Sequence, residues 1–345
     1  MDHAGKAARS AVFDHKVKST LQPAPHSGIV PAKARYVSIQ STRSSFNALS
    51  GNMKGSVILL MSAGLFALVA LLVKLLGQHL HVTQILFIRQ IIMTVIVAPS
   101  ILQGFPGVMR TGQAHLQIVR IALALGAMLM GFTAVIHMPL ADATALGFAK
   151  SFFVTIFAVW ILHEAVGPRR WAAVALGFAG VIIMLRPGTE SFSVYGLMAV
   201  ASAACAGLVM VLIRLMARQD SATTILSWQA IGVGIAVTVP AIYFWRWPTG
   251  TEWLLLAAMG IVSFVGQMTN IYAFKWGEAS ILASLDYMRL IYATILGYLV
   301  YETLPSTATW IGASVIVAAS VYSIWREAKK NQQLTRSPGG RGFTN

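Results

Sequence analysis

Charge is what this chain has least of. Asp, Glu, Lys and Arg make up 11% of its 345 residues, against 57% hydrophobic residues and a mean hydropathy of +0.70, a balance that excludes a water-soluble globule of this size. Acids are scarcer still: 11 Asp and Glu face 26 Lys and Arg, for a formal net charge of +15. Cysteine occurs once, at Cys205, which excludes an intramolecular disulfide; with no histidine nearby, the thiol reads as a small packing residue. HExxH, Gly-x-Ser-x-Gly, an aspartate-rich Mg²⁺ motif and a Walker motif are also absent. An integral-membrane enzyme or an ATP-driven pump is therefore not expected, and no catalytic residue, metal ligand or cofactor is assigned. A sensor would carry a soluble signalling domain, which neither tail can fold.

What is present is a series of long apolar runs. A helix needs about 20 mostly apolar residues to cross roughly 30 Å of hydrocarbon. Ten runs qualify: Ser56–Leu76, Val82–Ile101, Leu116–Ile136, Ala141–Leu162, Trp171–Leu185, Tyr195–Met216, Thr223–Phe244, Trp253–Phe274, Ser280–Tyr301 and Trp310–Ile324. Before them, residues 1–54 hold Lys6, Arg9, Lys16, Lys18, Lys33, Arg35, Arg43 and Lys54 against Asp2 and Asp14. With no signal-peptide core and no amphipathic stripe, this segment reads as a disordered basic cytoplasmic tail, as do residues 327–345. Met53-Lys54 stands directly before the first run, which leaves open a start at that point and a dispensable tail.

One unit occurs twice. The stretch from Pro139 to Gly188, an apolar run, a tight basic loop and a second apolar run, returns near the C-terminus. Glu164 is answered by Glu302 and Ala141 by Ala279, each 138 positions on, and Trp171 by Trp310 after one inserted residue. Earlier in each half, ALVALLVKLL ending at Leu76 matches GLVMVLIRLM ending at Met216, so Lys74 matches Arg214; both read as anchors that snorkel to headgroups. Two halves follow, residues 55–188 and 189–326, with five runs each, and an odd number of crossings inserts the second half upside down. Loop charge agrees. Arg110, Arg169, Arg170, Arg218 and Lys275 fall on one side and only Arg186 and Arg246 on the other, which makes the first side and both termini cytoplasmic. The expected fold class is thus an all-α integral membrane protein of ten transmembrane helices in two inverted five-helix repeats. Its net charge fits the positive-inside rule and anionic lipid better than nucleic acid.

The charges inside the runs are the candidate site. Lys150 stands ten residues into the fourth run, about 15 Å from its start, and Asp286 and Arg289 stand eight and eleven residues beyond Glu278 toward and into the ninth, about 12 and 16 Å, all near the midplane. Asp286 and Arg289 are i, i+3 and can pair, leaving Lys150 uncompensated. An ammonium at that depth costs at least about 2.5–3.5 kcal/mol, which favours a wet cavity over lipid; the alternative is an ion network that clamps the fourth run to the ninth. Nearby stand Phe148, Ser151 and Phe152, the amides Gln267 and Asn270, and Tyr287 and Tyr292. Two amides three residues apart in a lipid-embedded helix need polar partners or water. Arg89 lies about 10 Å deep in the second run, its position taken by Gln229 in the second half; it is either a substrate group or an interhelical strut. Arg120 reads as structural, and His137 and His163 as interfacial, with no second ligand at metal spacing. The candidate substrate-binding set is Lys150, Asp286, Arg289, Tyr287, Arg89, Gln267, Asn270 and Tyr292.

PLADATAL running toward Glu164, RRWAAVALGFAGVIIMLRPG and LDYMRL together resemble the EamA-type repeats of the drug/metabolite transporter superfamily, over about Ser56 to Ile324. The second copy is less faithful, with Ala318-Ala319 where Ala179-Gly180 stands. The resemblance implies ten helices around a central cavity lined largely by helices 3, 4, 8 and 9, with Lys150, Asp286 and Arg289 where substrate would bind. It is similar to the bacterial branch associated with uptake of S-adenosylmethionine or riboflavin and with movement of amino acids or carboxylates. The function expected is secondary transport of a small polar or zwitterionic metabolite by alternating access across the cell inner membrane, driven by a gradient or by exchange. Export of amino acids or drugs is the alternative, and a membrane enzyme or sensor the distant one. The expected partners are that metabolite and the lipid bilayer, with a coupling proton, a counter-substrate and a homodimer left open.

Overall fold

The computed structural model describes residues 51–336 apart from 164–165, 189–192, 218, 277–281 and 283–284. Residues before 51 and after 336, and the sequence landmarks Glu164, Arg218, Glu278 and Ala279, lie outside the described residues, while 51–54 and 327–336, expected as parts of the disordered tails, are the helical ends of the first and last helices.

Among the described residues the chain is helical: α1 Gly51–Leu76, α2 Val82–Gly104, α3 Ala114–His137, α4 Leu140–Gly147, α5 Lys150–Leu162, α6 Pro168–Leu185, α7 Val194–Met216, α8 Ala222–Tyr243, α9 Gly250–Trp276, α10 Met288–Tyr301 and α11 Thr307–Arg336. Eight spans are long and apolar enough to cross a membrane, α4 and α5 together forming one; Met288–Tyr301 and Thr307–Ser323 are shorter apolar helices. This is a multi-pass membrane protein. The apolar runs dictate where helices form, because a backbone in hydrocarbon must satisfy its own hydrogen bonds. Local chemistry sets where they start. The Ser221 hydroxyl accepts from Thr224 N–H at 3.1 Å, Ser306 does the same for Thr309 at 3.2 Å, and Thr249 with Glu252 closes a capping box ahead of α9, each using a free N–H of the first turn. His81 caps α2 by accepting from Thr83 N–H and stacks on Phe244 at 4.1 Å. Burial lowers its pKa, which keeps the acceptor nitrogen unprotonated.

Helix packing follows the internal repeat. α1 packs on α9 and α7 on α3; α5 packs on α7 and α10 on α1; α2 packs on α9 and α8 on α3. Replacing each helix by its counterpart 138 to 140 positions away turns the first member of each pair into the second. The contacts α2–α8 and α6–α11 map onto themselves. At the α6–α11 crossing the backbones nearly touch: a Cβ built on Gly180 would stand 2.8 Å from Gly312 O, and one on Gly312 2.6 Å from Gly180 O. Small residues permit that approach where lipid provides no hydrophobic drive between helices.

Two departures from the sequence expectations matter. The fourth run is a broken helix, with a turn at Phe148-Ala149 between α4 and α5. Three-residue bonds close it, from Ser151 N to Phe148 O at 3.1 Å and from Phe152 N to Ala149 O at 3.0 Å. The ninth run repeats this 138 positions on: Asp286-Tyr287 form the turn, Arg289 N bonds Asp286 O at 3.1 Å and Leu290 N bonds Tyr287 O at 3.0 Å. Lys74 is the other departure. Instead of snorkelling to headgroups it turns inward, donating to the carbonyls of Val135, Ile136 and Met138 with its ammonium 5.2 Å from the Tyr301 ring. It thus satisfies the open C-terminal carbonyls of α3, where a cation also meets the negative end of the helix dipole.

Candidate functional site

The two helix breaks and the repeat contacts leave a cavity of about 520 Å³ in the middle of the bundle. Its wall is mostly apolar, with Phe66 from α1 and Phe132 and Met128 from α3, and its polar groups are Thr144, Lys150, Ser202, Gln229, Gln267 and Arg289. Six helices and both halves of the chain supply these polar groups, and no carboxylate is among the lining residues.

Lys150 opens α5 immediately after the break. Its ammonium makes no hydrogen bond or ion pair to any described residue, and Asp286 and Arg289 are the charges nearest it. Arg289 stands one residue into α10 at the matching break. Its Nη2 lies 3.8 Å from Asp286 Oδ2, its guanidinium carbon lies 5.7 Å from the Phe66 and Phe148 ring centroids, and its Nε is buried without a hydrogen-bond partner. The paired breaks therefore bring one free ammonium and one guanidinium, held between two aromatic faces, to the same space. Gln267 of α9 adds an amide that bonds no described residue and remains accessible in the wall.

The remaining sequence candidates sit elsewhere. Asp286 contacts Arg289 from the turn and does not line the cavity. Tyr287 packs edge-on against Phe148, centroids 4.7 Å apart. Arg89 donates to Ser263 Oγ of α9 at 3.1 Å, as a strut between α2 and α9. Asn270 lies one turn beyond Gln267, outside the lining residues, and Tyr292 packs toward Gly64 of α1. Phe152 is core, its ring against Gly177 of α6, and Ser151 Oγ is 3.1 Å from Ser320 Oγ. Three polar lining residues were not selected from sequence: Gln229, noticed only as the counterpart of Arg89, and Thr144 and Ser202, whose hydroxyls bond backbone carbonyls and carry no charge to flag them. Among the described residues no group of three His, Cys, Asp or Glu side chains could hold a metal ion.

An apolar-walled cavity with a few convergent polar groups, built at broken helices between two related halves, is the architecture of a solute pathway. Comparison with known proteins agrees. The sequence matches the EamA-like transporter family twice, over residues 53–186 and 194–325. The chain belongs to this family, within the drug/metabolite transporter superfamily. Among the relatives of this family member, an S-adenosylmethionine uptake transporter of Rickettsia felis is 25% identical over 74% of this chain and 87% of its own. A riboflavin transporter of Brucella anthropi is 27% identical over 69% and 86%, and a pseudopaline exporter of Pseudomonas aeruginosa is 29% identical over 78% and 95%. A solved crystal structure shares the fold at a TM-score of 0.57 and 19% identity, over 81% of this chain and 99% of that one. The family description and the names of these relatives are those of transporters.

Proposed function

We propose that the chain is a secondary transporter of a small metabolite bearing a carboxylate or other anionic group, alone or as a zwitterion, and that Lys150 and Arg289 bind that group, with Gln267 as an orienting amide. Asp286, outside the cavity wall, tunes Arg289 from the turn. The observation that carries this is the cavity's charge: one unpaired ammonium and one guanidinium open into an apolar space with no carboxylate in its wall. In a low-dielectric surround such cations favour an anion, and arginine offers it paired donors. The ten-helix layout as two inverted repeats, with the solute at their interface, is supported by the exchange of packing partners between the halves. Placement in the cell inner membrane with both termini cytoplasmic is supported by loop charge. Movement is by alternating access, driven by a gradient or by exchange.

Purified protein in proteoliposomes tests this with labelled S-adenosylmethionine, amino acids, nucleoside derivatives, di- and tricarboxylates, and riboflavin as the neutral comparison. Saturable uptake of a carboxylate-bearing probe, inhibited by unlabelled carboxylates, is expected. Uptake confined to neutral or cationic probes overturns the anion assignment. Counterflow from preloaded vesicles separates import from export, since the relatives include proteins named for each.

A further inference from the structure

Arg120 of α3 is fully buried, yet its guanidinium serves only neutral acceptors. Nε donates to Gln117 Oε1 at 3.3 Å, Nη2 to Ile225 O at 2.7 Å, and Nη1 to Gln229 Oε1. No described carboxylate touches it. Asp220 is reached only through Gln117, whose Nε2 donates to Asp220 Oδ2 at 2.9 Å, beside a donation from Thr111 Oγ1 at 2.6 Å. A buried cation without a counter-ion is costly, and helix packing alone does not require one. Gln229 gives the reason. Arginine only donates, so the end of the Gln229 amide that meets it must be oxygen, and the NH₂ must lie on the other side. That NH₂ bonds no described residue, is not buried, and belongs to a side chain that lines the cavity.

We propose that Arg120 and Gln229 form a second recognition point in the cavity. Gln229 Nε2 donates to an oxygen acceptor of the substrate, a carboxylate by preference, and Arg120 is the positioning residue that fixes the amide and keeps the local potential positive. This deepens the proposed function and rests on it for the identity of the cavity as the substrate's.

Local potential is measured without any substrate. In a Cys205→Ala background, Gln229→Cys is reacted with sulfonatoethyl and trimethylammonioethyl methanethiosulfonate, each rate divided by that of a free thiol in solution. The anionic reagent is expected to be favoured at least tenfold with Arg120 present; Arg120→Gln in the same background should lower that ratio severalfold, Lys150 and Arg289 supplying what is left, and a ratio that Arg120→Gln does not change overturns the proposal. Equal rates with Arg120 intact, or an unreactive thiol, overturn the proposal. A second variant needs no loss of the arginine. Gln229→Glu gives Arg120 a carboxylate, so melting in detergent should be unchanged or higher, while the KM for the carboxylate-bearing probe rises at least tenfold. A lower melting temperature with KM unchanged would mark a purely structural role and overturn it. If wild-type protein takes up no carboxylate-bearing probe, the proposed function fails while the reagent ratio still decides this point. If uptake is normal and Gln229→Glu matches wild type, only this point fails.

Discussion

Lys74 and Lys150 both lie within membrane-spanning helices and their surroundings differ completely. Lys74 spends its three donors on three carbonyls at the end of α3, whereas Lys150 has no described partner and faces the cavity. An ammonium that serves as a structural clamp should look like the first, and one kept for a ligand like the second. Substituting each by methionine, which preserves most of the stem's packing, should therefore separate two properties. Lys74→Met leaves part-buried carbonyls without their donor and should cost on the order of 1–3 kcal/mol of stability, read as a lower melting temperature in detergent with the KM of the surviving protein unchanged. Lys150→Met should leave melting near wild type and abolish uptake; unchanged binding of a confirmed substrate would end its assignment as a ligand. Asp286→Asn frees Arg289 from its 3.8 Å partner and should also impair uptake at normal abundance. The charges of this site were legible from sequence because ionised groups at midplane depth are rare enough to stand out. The inward turn of Lys74 was not, since it depends on where α3 ends, at His137.

Helix positions were legible to within a few residues where a run lies in lipid and must satisfy its own backbone; the exception is α11, which continues to Arg336, twelve residues past the last apolar run and into the segment read as a disordered tail. Helix interruptions were not. The turn at Asp286-Tyr287 contains no glycine or proline and that at Phe148-Ala149 only follows Gly147, so nothing in the residue types marks either as a break. What marks them is their recurrence 138 positions apart with the same three-residue hydrogen bonds, a feature that the internal repeat could carry only once the backbone was in view. The α6–α11 crossing offers the element-scale test. Its two glycines meet backbone to backbone, where no side chain can rotate aside, so Gly180→Leu forces α6 and α11 apart. Overpacking of this kind costs about 1–3 kcal/mol, and the variant should melt earlier and reach the membrane in smaller amounts. Ala173→Leu would not make the comparison, being buried in the same helix; Leu176→Ala, on the exposed face, should change neither property.

At the scale of the whole molecule, the packing pairs and the loop charges make independent statements about the same symmetry. Apart from those of α4, whose equivalent falls largely outside the described residues, each α-helix contact between the two halves has its counterpart under the repeat, while the loops of the two halves carry opposite charge bias: Arg169 and Arg170 follow the fourth run, but no basic residue lies between Thr303 and Thr309 after the ninth. A duplication that kept its orientation would place equivalent loops on the same side, where the positive-inside rule would press both toward the same charge. On the proposed layout, five crossings per half would remove that conflict by inverting the second copy. Reporter fusions decide the matter. An enzyme reporter active only outside the cytoplasm should be active when fused after Glu190 or Thr307 and silent after Gly167 or Asp220. The opposite pattern would reverse the orientation. Equal activity after Gly167 and Thr307, which follow equivalent helices in the two halves, would mean that the second half is not inverted, and the shared site at the interface of the two would lose its geometric basis.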